Sequence, residues 1–126
     1  MIPVHLFNLV SQHNNWLSVR QSAIAGNIAN ANTPGYKAVD AAAFEGELNS
    51  ARLAMTATHA GHMGPVAGAA PVADAREEEA WNIVHSGNSV SLEQEMVKAG
   101  EINRSYAMNT GVLKAFHRML MASTKG

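Results

Sequence analysis

The side chains with the most evident capacity for chemistry are two histidines, His59 and His62, three residues apart in a glycine-rich stretch. Imidazole nitrogens bind zinc, and a zinc site normally draws on four ligands, often including cysteine. The chain has no cysteine, and the nearest acids, Asp74 and Glu77, lie across glycine- and proline-containing backbone. A metal site is therefore not expected. His5, His13 and His117 fall on helical stretches and read as solvated or partly buried. The run Glu77-Glu78-Glu79 could meet a basic partner, but a solvated patch is the simpler reading. No Ser/His/Asp constellation and no phosphate-cradling glycine motif is recognisable. The expectation is a protein without catalytic residues, metal, cofactor or small-molecule substrate. A small metal-dependent enzyme built on His59 and His62 stays as a minor alternative, open to elemental analysis.

Composition supports that direction. A length of 126 residues suits one domain, 1–126. A formal net charge of −1 carries no electrostatic footprint for nucleic acid. Hydrophobic residues make up 47%, but many of them are alanine, which buries little surface. Three Phe, two Trp and two Tyr leave few large anchors for a core. A chain that completes its core with neighbours is the sharper reading. Without cysteine, a disulfide framework is impossible. The N-terminal MIPVHLFNLVSQHNNW has no basic leader, and no run approaches the roughly 20 apolar residues that span a membrane. Location outside the cytoplasm would need an export system that does not cleave a signal peptide.

Two elements must carry whatever the chain does. Over residues 4–31, Phe7, Val10, Asn14, Leu17, Gln21, Ile24, Ile28 and Ala31 follow alternating steps of three and four. Over residues 90–123, Leu92, Glu95, Ala99, Ile102, Tyr106, Asn109, Leu113, Phe116 and Leu120 do the same. Both match the narrow apolar seam of a coiled coil. Asn14 and Gln21 interrupt the first seam. The plainer reading is a stripe only locally buried there; the alternative is that they fix register. Ser89 or Ser91 can cap the second helix, with Glu93 and Glu95 in its first turn. Lys114, Arg118 and Lys125 load its far end with positive charge. Met96, Met108, Met119 and Met121 read as adaptable padding for helix contacts. Gly100 either admits a close neighbour or is simply tolerated.

The segment between, 34–89, changes character. Residues 38–54 could form a short helix anchored on Phe44 and Leu48, and 55–80 read as irregular or extended. Residues 81–84 offer a short extended piece, and Ser86-Gly87-Asn88 a turn. The expected fold is mainly α: two long amphipathic terminal helices packed as a coiled-coil-like hairpin around an irregular middle. Two such helices alone leave much of each stripe uncovered, and copies in head-to-tail contact would cover it.

The join after the first helix is the most specific part of the chain. In GNIANANTPGYK, residues 26–37, Asn30 and Asn32 tolerate the left-handed backbone of a helix end. Pro34 lacks an amide hydrogen, and Thr33-Pro34-Gly35-Tyr36 suits a type II turn with Gly35 at the positive angle. The string Asn27-Ile28-Ala29-Asn30-Ala31-Asn32-Thr33-Pro34-Gly35-Tyr36-Lys37 resembles the N-terminal signature of bacterial flagellar rod, hook and hook-associated proteins. Met55-Thr56-Ala57-Thr58-His59 with His62-Met63 is similar to an element of the FlgB-type proximal rod family. So is Ser86-Gly87-Asn88-Ser89-Val90-Ser91-Leu92-Glu93-Gln94-Glu95-Met96, although Ser86 and Ser91 stand where acidic residues are usual. The spacing of Tyr106, Leu113 and Phe116 agrees, so the resemblance covers nearly the full length.

The resemblance implies a structural, non-enzymatic component of the flagellar basal-body proximal rod. By it, the chain leaves the cytoplasm through the flagellar type III export apparatus and assembles in the periplasm-spanning rod. It would transmit torque from the membrane (MS) ring to the hook and line the export channel. Its implied partners are copies of itself, other rod proteins (FlgC-, FlgF- and FlgG-like), a FliE-like adaptor and the MS ring. Its axial motif would be Asn27, Ile28, Asn30, Asn32, Thr33, Pro34, Gly35 and Tyr36. Helix packing and assembly would rest on Phe7, Val10, Leu17, Ile24, Ile28, Ile102, Tyr106, Leu113, Phe116 and Leu120. A FlgC-like axial protein is the near alternative, and a secreted helical interaction module a more distant one.

Overall fold

The structure, a computed structural model, describes residues 2–52, 75–78, 83 and 85–126. The fold is mainly α, as expected. Two long helices, α1 (Ile2–Ala29) and α3 (Leu92–Thr124), run side by side. A short helix α2 (Phe44–Arg52) and two three-residue strands, β1 (Val39–Ala41) and β2 (Ala75–Glu77), lie between them in sequence. At 1.5 Å per residue α1 is about 42 Å long and α3 about 50 Å.

The two seams face each other in antiparallel order. Phe7 meets Phe116 edge to face at 5.6 Å. Asn14 bonds Asn109 and Asn27 bonds Glu95. Steps of seven residues along α1 from Phe7 to Asn14 are matched by seven along α3 from Asn109 to Phe116. That equality is what a heptad-like pattern on both strands requires. The buried centre is small: Leu17, Ile24 and Ile102, with Trp16, Ala99 and Tyr106 against them. Val10, Ala38 and Val90 are the other buried apolar side chains among the described residues.

Several expectations need correction. The N-terminal helix ends at Ala29, short of 31–33, and a series of tight turns carries the chain through Asn30 and Ala31. Neither Asn30 nor Asn32 adopts the left-handed backbone; only Gly35 and Gly87 do, among the described residues. The middle is less irregular than its composition suggests. Antiparallel pairing of Val39 with Glu77, Asp40 with Arg76 and Ala41 with Ala75 makes a short ribbon, so 75–77 is strand. The short helix starts at Phe44, with Glu45 and Glu47 in its first turn, where acids favour the helix dipole. His59, His62, the 55–59 element and Trp81 lie outside the described residues.

On α3, Ser91 is the N-cap residue but accepts no side-chain capping bond. Its hydroxyl donates instead to Glu93 at 3.0 Å. The last turn holds no basic residue, because Lys125 is the C-cap and Lys114 and Arg118 lie further back. Among the described residues Gly100 has no neighbour within 4 Å of a Cβ position. The methionines do not pad contacts inside the chain: Met96, Met108, Met119 and Met121 are all exposed.

Candidate functional site

The closed end of the hairpin is a hydrogen-bonded clasp between the 27–36 turn and the 86–98 segment. Its first part is the turn itself. Gly35 has φ +74°, and the Tyr36 amide donates to the Thr33 carbonyl at 3.3 Å. This is the Pro-Gly type II arrangement that the sequence predicts. The turn is pinned to the far segment by two backbone bonds. The Gly35 amide donates to Ser86 O at 2.9 Å, and the Ser89 amide to Tyr36 O at 3.1 Å. A Cβ on Gly87, itself at φ +81°, would sit 3.6 Å from Gly35 Cα. The two glycines thus bring two backbone segments into direct contact.

Asn88 closes the end of α1. Its amide nitrogen lies 2.8–3.0 Å from the carbonyls of Asn30, Ala31 and Thr33. Those carbonyls follow a helix end, where backbone acceptors lack intrahelical donors. The Asn88 side-chain oxygen accepts from the Val90 amide at 2.8 Å, which shapes the entry to α3. Ser89 Oγ accepts from the Ala38 amide at 2.8 Å. Asn88 and Ser89 are both buried, and these bonds keep them satisfied.

Asn27 is the hub. It has no exposed surface. Its amide donates to Val39 O at 2.8 Å and to Glu95 Oε2 at 3.0 Å, and its oxygen accepts from Val39 N at 3.0 Å. The Tyr36 hydroxyl reaches the same oxygen at 3.4 Å. Asn27 therefore behaves as one more residue of a sheet edge, holding β1 to α1 while gripping α3. Asn30 turns back onto its own helix, donating to Gly26 O at 2.8 Å.

Behind the hub lies a charged cluster. Glu95, 1% exposed, bonds Lys98 at 3.2 Å as well as Asn27. Lys98 also contacts Glu78, and Asp40 at 3.5 Å. One cation thus ties α3, β1 and the residue after β2. Burial works against the Lys98 ammonium, but the Glu78 hydrogen bond and the Asp40, Glu95 and Glu78 charges outweigh it, so its pKa is raised. Arg20 holds Asp40 through two nitrogens at 3.0 and 3.2 Å and reaches Glu101 at 3.6 Å. Its pKa is raised too: desolvation opposes the charge, and Asp40 together with the Glu101 and Glu78 charges more than offsets it. Every buried polar side-chain atom among the described residues has a partner. No group of three or more His, Asp and Glu residues that could hold a metal ion occurs among the described residues.

The sequence signature thus maps onto the clasp. Asn27, Asn30, Thr33, Gly35 and Tyr36 are brought together in it, while Ile28, Asn32 and Pro34 face outward. The sequence reading places Glu95 on the seam and in the first turn and Asn88 in a turn, but gives neither a partner, and it misses Lys98 and the Arg20–Asp40 pair. Glu95 and Asn109 stand on an otherwise apolar seam, and a polar residue at a seam position is the signal that marks a buried partner. Of the seam residues, Val10, Leu17, Ile24 and Ile102 are buried and Tyr106, Leu113 and Phe116 half-buried. Phe7, Ile28 and Leu120 are exposed, as are Leu92, Val97, Met108, Val112 and Met119. The hairpin is clasped at one end, packed along its seam, and presents apolar side chains along its outer faces.

Two long helices with an inward clasp and uncovered outer stripes define a structural assembly module. Residues 14–37, which include most of the clasp's first half, match the family model described as flagella basal body rod protein. Along 99% of its length the chain is 42% identical to the flagellar basal body rod protein FlgB of Agrobacterium fabrum (strain C58), covering 96% of that protein. The chain belongs to the FlgB family of flagellar basal body rod proteins, whose members are structural components of the rod.

Proposed function

We propose that this chain is a subunit of the proximal rod, where it transmits torque from the MS ring towards the hook and helps to line the export channel. The observation that supports this most is the pairing of a clasp whose buried polar side chains are all bonded with exposed apolar stripes on α1 and α3. A stripe left open by the monomer is covered when copies pack side by side, and load is then shared over many contacts. Partners of the proposed assembly are further copies, FlgC-, FlgF- and FlgG-like rod proteins, a FliE-like adaptor and the MS ring. No helix among the described residues is long and apolar enough to cross a membrane. The reading has the chain exported by the flagellar type III apparatus without a cleaved leader.

Deleting the gene and isolating basal bodies tests this reading. The expected result is loss of motility and basal bodies that lack a rod, restored by the wild-type chain. Normal swimming and intact rods in the deletion strain would overturn it.

A further inference from the structure

Charge is divided unevenly along the hairpin. All ten acidic residues lie between Asp40 and Glu101. After Glu101 come Arg104, Lys114, Arg118 and Lys125 and no acid, so residues 102–126 carry +4 and, with a total of −1, the rest carries −5. On α1, no Asp, Glu, Lys or Arg precedes Arg20. Because Phe7 packs on Phe116, the N-terminal half of α1 and the C-terminal half of α3 form one end of the molecule. This open end is basic and acid-free. It is also apolar: Met108, Val112 and Met119 recur at helical spacing with exposures of 61, 43 and 61%, beside Leu120 and Met121.

The complement lies at the middle of the hairpin and towards its closed end. Glu45 and Glu77 are exposed and meet no cation among the described residues. An open groove of about 630 Å³ lies beside Glu45, floored by His13, Trp16 and Phe44 and rimmed by Glu101 and Arg104. Trp16 and Phe44 sit 5.8 Å apart, so the floor is a continuous aromatic surface. Arg20 at the groove is already engaged by Asp40.

We propose that the open end of one copy docks head to tail on the acid-bearing half of a second copy. The methionine-rich face of α3 covers the aromatic groove, and Lys114 and Arg118 face the acid-bearing half, where Glu45 borders the groove and Glu77 is exposed on β2. Methionine suits such a contact because its unbranched side chain adapts to an irregular floor. Opposite charges at the two ends give the contact a direction, since like ends repel. A contact between different surfaces of identical copies does not close on itself and propagates. The inference rests on the rod-assembly reading and adds which surfaces meet and in what order.

Sedimentation velocity on the full chain tests it. Wild type should form concentration-dependent oligomers at about 50 mM NaCl that weaken roughly tenfold or more at about 0.5 M, where exposed charges are screened. Lys114→Glu/Arg118→Glu alone should be monomeric, and so should Glu45→Lys/Glu77→Lys alone. An equimolar mixture of the two should associate again, because each reversed end then finds an oppositely charged surface. All four positions are at the surface, and circular dichroism should show both variants folded. The proposal is overturned if either variant associates like wild type or if the mixture stays monomeric. It is also overturned if wild type stays monomeric and instead binds phosphatidylserine vesicles, which would make the basic end a lipid-facing surface. Rods that still form in cells carrying either variant would remove this inference and leave the rod-assembly reading standing.

Discussion

Asn27 on α1 and Glu95 on α3 meet at 3.0 Å with almost no solvent access to either side chain. Asn27 also supplies both halves of a backbone-like pair to Val39. Replacing it by Leu strands the Val39 amide and carbonyl and leaves Glu95 one donor short. Each buried polar group left unpaired costs about 1–3 kcal/mol. Asn27→Leu should therefore destabilise the chain by about 3 kcal/mol or more, read from urea unfolding. Asn27→Asp should be worse, because it places a second carboxylate against Glu95. A loss below about 1 kcal/mol in either variant would show that the hub is dispensable.

Lys98 sets an alkaline limit on the clasp. Its folded-state pKa is raised above the ordinary lysine value, so the stability it contributes is complete below that ordinary value. That stability is lost as pH rises through the raised folded value. Unfolding free energy should thus fall on the alkaline side of about pH 10.4. Lys98→Met should be less stable at neutral pH, since it leaves Glu95 buried without its cation, and should show a smaller alkaline decline. An unchanged alkaline slope in Lys98→Met would assign the decline to other groups.

Gly35 stands at φ +74° with nothing near its Cβ position. Substitution there meets backbone strain and no steric clash. Gly35→Val should cost about 1–3 kcal/mol, and Gly35→Asn distinctly less, because Asn tolerates the left-handed region. Equal costs for the two would mean that contact, and not backbone angle, governs the turn.

A polar layer crosses the hairpin at its middle, and its role in setting register is open to test. Asn109, 5% exposed, donates to Asn14 Oδ1 at 2.7 Å and meets His13 Nδ1 at 2.9 Å. Tyr106 adds a bond to the Asn14 carbonyl at 3.2 Å. Because the chain lacks cysteine, Phe7→Cys with Phe116→Cys reports alignment by oxidation. In the native background this pair should cross-link efficiently. Adding Asn14→Leu with Asn109→Leu should retain helix content but lower the cross-linking yield, as an apolar seam allows slippage. An unchanged yield would mean that Leu17, Ile24 and Ile102 set the alignment alone.

The helices were legible in the sequence because steps of three and four persist through both, whatever packs against them. The Pro34-Gly35 turn was legible because its angles depend only on its own residues. The clasp was not, because Asn27, Asn88 and Glu95 are distant in sequence and each is also an ordinary surface residue type. For Gln21 the plainer reading holds, since it is exposed; Asn14 instead meets a partner, Asn109, that lies far along the chain. The β1–β2 ribbon escaped notice because three-residue strands carry too little alternation to read. Exposure of the methionines could not be foreseen from periodicity, because they lie beside the seam and not on it.

The most direct measurement of the central claim is electron microscopy of basal bodies from cells expressing Val112→Asp/Met119→Asp. Both side chains are exposed on α3, so the monomer should keep its stability within about 0.5 kcal/mol. In the proposed assembly the same positions are covered, and an unpaired carboxylate there is costly by several kcal/mol. The account predicts a folded, exported protein and basal bodies without a completed rod. Complete rods of normal appearance, built from the variant, would contradict it.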